Sequence, residues 1–473
     1  MAITTTNPAT GEVVKRFDPM SAAEIDERIG RAAQAFDTLR RTTFAQRAGW
    51  MRAAGDLLDA ERDAVAAIMT LEMGKTLASA KAEVAKCAVA CRFFAERAEG
   101  FLADDRSVDP GAVKARDAYG VYRPLGTVLA IMPWNFPLWQ AMRFAAPALM
   151  AGNTGLLKHA SNVPQCALYL GDLFTRAGFP DGAFQTLLIG SDQVARVLTD
   201  PRVHAATLTG SEAAGRAVAS IAGREVKKTV LELGGSDAFV VMPSADLDRA
   251  AQVATTARCQ NNGQSCIAAK RFIVHTDVYD AFAAKFVREM SALVVGDPND
   301  EATGVGPLAT EQGRRDIEEQ VADAVAHGAT VLCGGSTPDG PGWYYPPTVV
   351  ADLTPEMRMY AEEVFGPVAG LYRVDSYEEA IAVANSTPFG LGSNAWTNDA
   401  DEQHRFIEDL DAGAVFINGM TTSYPELPFG GVRNSGYGRE LSAHGIREFC
   451  NLKTVWVGGE APTESSHAGS HAE

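Results

Sequence analysis

A series of short apolar runs, each bounded by glycine or proline, dominates the middle of the chain: TVLAIMP, TGLLKH, FQTLLIG, AATLTG, TVLELGG, AFVVM and RFIVH. Helical patterns lie between most of them. Runs that stay apolar along their length, rather than alternating, are strands covered on both faces, so the series favours a largely parallel sheet with helices on each side. A second series follows in TVLCGG, TVVADL, VAGLYRV, NAWT and AVFING. The expected fold class is therefore α/β, with two Rossmann-like units. The first hundred residues are mainly helical: SAAEIDERIGRAAQAF opens with a capping box, Ser21 and Glu24, and spaces Ile25, Ile29, Ala33 and Phe36 along one face. A second box, Thr43 with Gln46, starts the next helix. The small polar tail 459–473 has no periodicity and should be disordered.

Composition narrows the function classes. A net charge of −17 disfavours nucleic acid or anionic lipid as partners. No stretch is long enough for a membrane span, and MAITTTNPATGEVV has neither a basic start nor an apolar core, so a cytoplasmic protein is expected. Seven scattered cysteines do not form a disulfide framework. Cys87 and Cys91 in CAVAC read as buried helical thiols, and with no CxxC or histidine cluster no metal is expected.

Several strand ends finish in polar or glycine residues: PWN at Pro133 to Asn135, KHAS at Lys158 to Ser161, TGS at Thr209 to Ser211, and ELGG at Glu232 to Gly235. Parallel sheets bind ligands at the carboxyl ends of their strands, where loops meet helix starts. After these comes QNNGQSC, Gln260 to Cys266, which surrounds one thiol with amides and a glycine. The dinucleotide fingerprint GVGPLA, Gly304 to Ala309, follows a polar stretch instead of a strand and contains a proline, so it lacks the context of a cofactor site.

Taken in order, PWNFP, LLKHAS, LTGSEAAG, LELGG, NNGQSC, EEVFGP and PFGGVRNSGYGRE resemble the aldehyde dehydrogenase superfamily over about residues 7–456. An isolated cysteine is more often an inert buried thiol, and Cys259 sits in a helical pattern only seven residues earlier; the matched set singles out Cys266. The resemblance implies Cys266 as nucleophile, Asn135 with the Cys266 backbone N–H as oxyanion donors, and Glu232 as the base that activates water against the thioester. It also implies a cofactor site in which Lys158 meets the adenosine ribose, Gly210 and Ser211 open the helix under the pyrophosphate, Trp134 and Leu233 line the nicotinamide side, Glu363 holds the nicotinamide ribose, and Phe365 packs beside it. Ser161 stands where NAD-preferring members often carry a glutamate that repels a 2′-phosphate, so NADP is expected ahead of NAD.

Within the superfamily the chain most resembles bacterial NADP-dependent succinate-semialdehyde dehydrogenases, through NFPLWQAMRFAAPALMAGN, NNGQSCIAAKRF and INGMTTSYPELPFGG. That likeness implies oxidation of succinate semialdehyde to succinate, with Arg143 and Ser423 at the distal carboxylate and Trp139 beside the aldehyde path. Arg143 could instead pair with a structural carboxylate. Ile267 and Ala268 follow Cys266, so the local disulfide switch of some such enzymes cannot form. The aldehyde-dehydrogenase-like arrangement implied is a dinucleotide-binding domain over 1–232 with 430–446 returning to it, a catalytic domain over 233–429, and β segments at 110–130 and 447–457 that build a homodimer or homotetramer. A different aldehyde, a CoA-acylating reaction and a catalytically idle binding member are the alternatives; retention of Cys266 and Glu232 weighs against the last two.

Overall fold

The computed structural model describes residues 2–459, so the tail expected to be disordered lies, apart from Gly459, outside the described residues. A hairpin of β1 (Ile3–Thr6) and β2 (Val13–Phe17) precedes four helices, Ala22–Leu39, Phe44–Ala60, Arg62–Met73 and Leu77–Phe101. The capping boxes at Ser21/Glu24 and Thr43/Gln46 are both formed, each satisfying backbone N–H groups that the first helical turn leaves unpaired. Cys87 and Cys91 are buried on the fourth helix.

Next come β3 (Asp117–Pro124), β4 (Thr127–Met132), β5 (Thr154–His159), β6 (Phe184–Thr186), β7 (Val203–Thr209) and β8 (Lys228–Glu232). They are followed by β9 (Asp237–Val241), β10 (Ala269–His275), β11 (Thr330–Cys333), β12 (Thr348–Ala351), β13 (Val368–Val374), β14 (Ser393–Trp396) and β15 (Val415–Ile417), and the chain closes with β16 (Gly436–Tyr437) and β17 (Cys450–Val457). One sheet of six strands runs β16-β8-β7-β4-β5-β6, parallel except for β16. The other, of seven, runs β11-β12-β13-β10-β9-β14-β15, parallel except for β11. The chain leaves the first sheet at Glu232 and enters the second at Asp237, so the two sheets meet across Leu233 to Ser236.

A separate antiparallel ribbon pairs β17 with β3, from Cys450 opposite Pro124 to Val457 opposite Asp117. Leu452 and Trp456 stand more than half exposed on it. The segment expected at 110–130 thus divides: the ribbon ends at Pro124, and from Thr127 the chain is already in the six-stranded sheet.

The helix Trp139–Ala151, WQAMRFAAPALMA, is buried along its whole length. A helix apolar on every face belongs inside the core. Its one ionisable side chain is Arg143, which the core can hold only if a counter-charge accompanies it.

Candidate active site

The expected strand ends converge. PWN follows β4, Lys158 is the penultimate residue of β5, Thr209 ends β7 and Glu232 ends β8, all at the carboxyl edge of the six-stranded sheet. A cleft of about 630 Å³ opens there, and Trp134, Asn135, Gly210, Ser211, Leu233, Cys266, Glu363 and Phe365 all line it. Trp134 and Phe365 flank it edge to face, their rings 5.7 Å apart.

Two glycines of LELGG let three distant segments meet. A Cβ on Gly235 would lie 2.6 Å from the Cys266 carbonyl oxygen, and one on Gly234 would lie 2.6 Å from Glu363 Oε2. Any larger residue would push the nucleophile loop or the Glu363 loop away. The glycine-rich segment after Phe429 clamps the same strand end: Ser435 Oγ donates to the Gly234 carbonyl at 2.6 Å, and Leu233 N–H donates to the Ser435 carbonyl at 2.9 Å.

The loop before Cys266 explains why amides surround the thiol. Asn261, Asn262 and Gly263 are all left-handed, with φ of 56°, 57° and 75°. Asparagine tolerates that region better than other side chains, and here the amides also hold it in place. Asn262 Nδ2 donates to the carbonyls of Gly74 (2.9 Å) and Pro307 (3.0 Å), while its Oδ1 accepts from Gly306 N–H at 2.9 Å. Gln264 Oε1 accepts from Ala309 N–H at 2.9 Å. GVGPLA, outside the cleft lining, therefore buttresses the nucleophile loop.

Cys266 is half-buried, and burial pushes its thiol up to about 12, against which Arg143 and Lys270 act. Asn135 is buried; its Nδ2 donates to the Gln264 carbonyl at 3.1 Å, leaving one N–H of the amide uncommitted. Glu232 is buried with neither carboxylate oxygen hydrogen-bonded among the described residues. Burial raises its carboxyl well above the usual range, and repulsion from Glu440 adds to this.

The remaining expected residues lie outside the cleft wall. Arg143 is 2 % exposed, with Nε 2.8 Å from Glu440 Oε2, Nη2 donating to Gln140 Oε1, and its guanidinium 4.4 Å from the Phe429 ring centre. The expected clamp is thus a guanidinium already engaged by a carboxylate. Trp139 and Ser423 are buried together, the indole N–H donating to Ser423 Oγ at 2.8 Å. Lys158 is half-buried, which depresses its ammonium pKa. Ser161 lies beyond β5, its carbonyl accepting from Thr4 N–H at 3.0 Å.

Several members were not found from the sequence. Glu440 ends PFGGVRNSGYGRE, yet nothing in the motif itself says that it faces Arg143 and Glu232. Lys270 donates to the Ser265 (2.8 Å) and Cys266 (2.5 Å) carbonyls and stands 3.3 Å from Glu363 Oε1, tying the nucleophile loop to the cofactor side. Glu83, paired with buried Lys75, accepts from Leu138 and Trp139 N–H at 2.9 Å and so caps the buried helix. On its amphipathic helical run Glu83 looks like an ordinary surface residue.

A thiol, an amide and a carboxylate gathered at the strand ends of this two-sheet fold define the class: the chain belongs to the aldehyde dehydrogenase family, whose model matches residues 1–455. More particularly, it is 68% identical over 459 residues, 97% of each chain, to a protein of Mycolicibacterium paratuberculosis named succinate-semialdehyde dehydrogenase (NADP+). A Mycobacterium tuberculosis protein named succinate-semialdehyde dehydrogenase (NADP+) 1 is 66% identical, over 97% of this chain and 100% of that one. The crystal structure of succinic semialdehyde dehydrogenase from Streptococcus pyogenes in complex with NADP+ superposes with a TM-score of 0.94 at 38% identity, covering 97% of this chain and 100% of that one.

Proposed function

We propose that this protein oxidises succinate semialdehyde to succinate with NADP+, through a covalent intermediate on Cys266. What carries the reading is that Cys266, Asn135, Glu363 and the helix start at Ser211 all open into one cleft. The names of its close relatives support the substrate and cofactor.

Attack by the Cys266 sulfur on the aldehyde carbon gives a hemithioacetal, whose oxyanion receives the free Asn135 N–H and the Cys266 backbone N–H. NADP+, held along Ser211, Lys158 and Glu363, would supply the acceptor for the hydride of this intermediate. Glu232 then takes a proton from the water that hydrolyses the thioester; a carboxylate held above its usual pKa is a stronger base once ionised. The thiol needs a proton acceptor during attack, since burial holds it protonated at neutral pH.

The cofactor fits the residues present. The Ser211 helix start suits a pyrophosphate, Lys158 offers a cation with no carboxylate beside it, and Thr209 Oγ1 is buried without a hydrogen-bond partner among the described residues. Leu233 would border the nicotinamide with Trp134 and Phe365, and Gly210 would let the pyrophosphate approach the backbone. Ser161 leaves room for a 2′-phosphate. The substrate's distal end would lie toward Trp139, Arg143 and Ser423, behind Gln140 of the cleft wall. The exposed β3–β17 ribbon would pair subunits in a cytoplasmic homodimer or homotetramer, and the division at Glu232 would separate cofactor and catalytic domains.

Initial rates of NADPH formation with succinate semialdehyde and with butanal, its uncharged four-carbon counterpart, test the reading. A strong preference for the acid, and no activity in Cys266→Ala, are expected. Equal rates would remove the substrate, and activity surviving without the thiol would remove the mechanism.

A further inference from the structure

Ser423 carries an unusual set of partners. Its Oγ accepts from Trp139 Nε1 at 2.8 Å and from Lys86 Nζ at 3.1 Å. A hydroxyl has two acceptor lone pairs and one O–H. Both lone pairs are taken, so the O–H must donate, and among the described residues it has no acceptor.

Lys86 shows the same deficit with a charge attached. It is half-buried on the helix Leu77–Phe101, its Nζ 4.2 Å from the Trp139 ring centre, and among the described residues it forms no ion pair. The nearest carboxylate on its own helix, Glu83, is committed to Lys75 and to the amides of Leu138 and Trp139. Burial and repulsion from Arg143 pull the Lys86 ammonium down to about 8, the mark of a cation lacking its counter-ion. Arg143, in contrast, already has Glu440.

A cation and a hydroxyl donor that share one oxygen, and both lack an acceptor, are completed by an anion. Their position identifies it. Trp139 adjoins Gln140, which lines the cleft with Cys266, and Arg143, one turn further along, acts electrostatically on both Cys266 and Lys86. We propose that Lys86 is a specificity-determining residue that grips the distal carboxylate of the substrate, with the Ser423 O–H as second donor. This rests on the acid-semialdehyde reading above.

The test is the ratio of kcat/KM for succinate semialdehyde to that for butanal in the wild type, Lys86→Met and Lys86→Arg. Because each ratio is taken on one preparation, a smaller folded fraction cancels. Losing a charge-assisted hydrogen bond should lower the ratio about 10- to 100-fold in Lys86→Met, chiefly through KM for the acid. Lys86→Arg should recover most of it. A ratio unchanged in Lys86→Met, with the wild type still preferring the acid, overturns the proposal alone. A wild type without preference overturns the acid-semialdehyde reading first and this proposal with it.

Discussion

Removing the Arg143 guanidinium while keeping its bulk, as Arg143→Met, tests the buried charge cluster most directly. Arg143 and Glu440 are 2 % and 5 % exposed and 2.8 Å apart, and Glu232 repels Glu440 from the other side. Taking away one partner of such a pair costs about 3–5 kcal/mol, because a bare charge stays behind. Here the carboxylate can escape by protonation. Holding a carboxyl neutral at pH 7, some 2.5 units above its free pKa, costs about 3 kcal/mol, which matches that range. The same operation at pH 5 costs less than about 1 kcal/mol. In the variant the folded pKa of Glu440 rises further above the unfolded value, so its contribution is fully present at low pH and is lost as pH climbs past about 4.5. The deficit of Arg143→Met in urea unfolding should therefore grow between pH 5 and pH 7.5, and Glu440→Gln added to it should restore at least about 2 kcal/mol. A deficit independent of pH, or a double variant as weak as the two singles combined, would refute the pairing. Activity gives a second reading: because Arg143 acts on Glu232 and Cys266 alike, the variant should lose rate on butanal as well as on succinate semialdehyde.

Glu232→Gln should still acylate, giving a burst of about one NADPH per site and then a steady rate lower by about 10²–10⁴, seen by stopped flow; an unchanged steady rate would exclude Glu232 as the base. Ser161→Glu should shift preference from NADP+ toward NAD+ by at least about tenfold in kcat/KM, and no shift would place 2′-phosphate recognition elsewhere. The acid-to-neutral substrate ratio should fall as pH rises through about 8, where Lys86 loses its proton; Arg143 across from it, with Glu83 and Cys87 on its own helix, are the charges that set this value. A ratio flat from pH 7 to 9 would contradict it.

The strand-end chemistry was legible because it is local. A run such as TVLELGG states its strand, its terminal carboxylate and the glycines that follow in consecutive letters, and QNNGQSC states a turn and a thiol. What the sequence could not convey were pairings of high sequence separation. Arg143 and Glu440 lie on opposite sides of the catalytic segment, so a structural carboxylate for the arginine could be allowed for but not named, its partner being merely the last letter of a glycine-rich motif. Lys86 gave no signal at all, being one more lysine on a helix with a periodic apolar face. GVGPLA lies outside the cleft lining, and its role under Asn262 and Gln264 depends on backbone amides that no side-chain letter announces.

The clamp of Ser435 on Gly234 has a consequence in time. The two residues are 201 apart in sequence, and a ribosome adding about 5–20 residues per second needs about 10–40 s to pass from one to the other. For most of that interval Cys266 has been made, yet β8 lacks its β16 neighbour and Glu232 has no Glu440 beside it. The growing chain therefore carries its thiol for much of its synthesis in a site that cannot yet be assembled, and competence arrives only once Ser435 and Glu440 have been made.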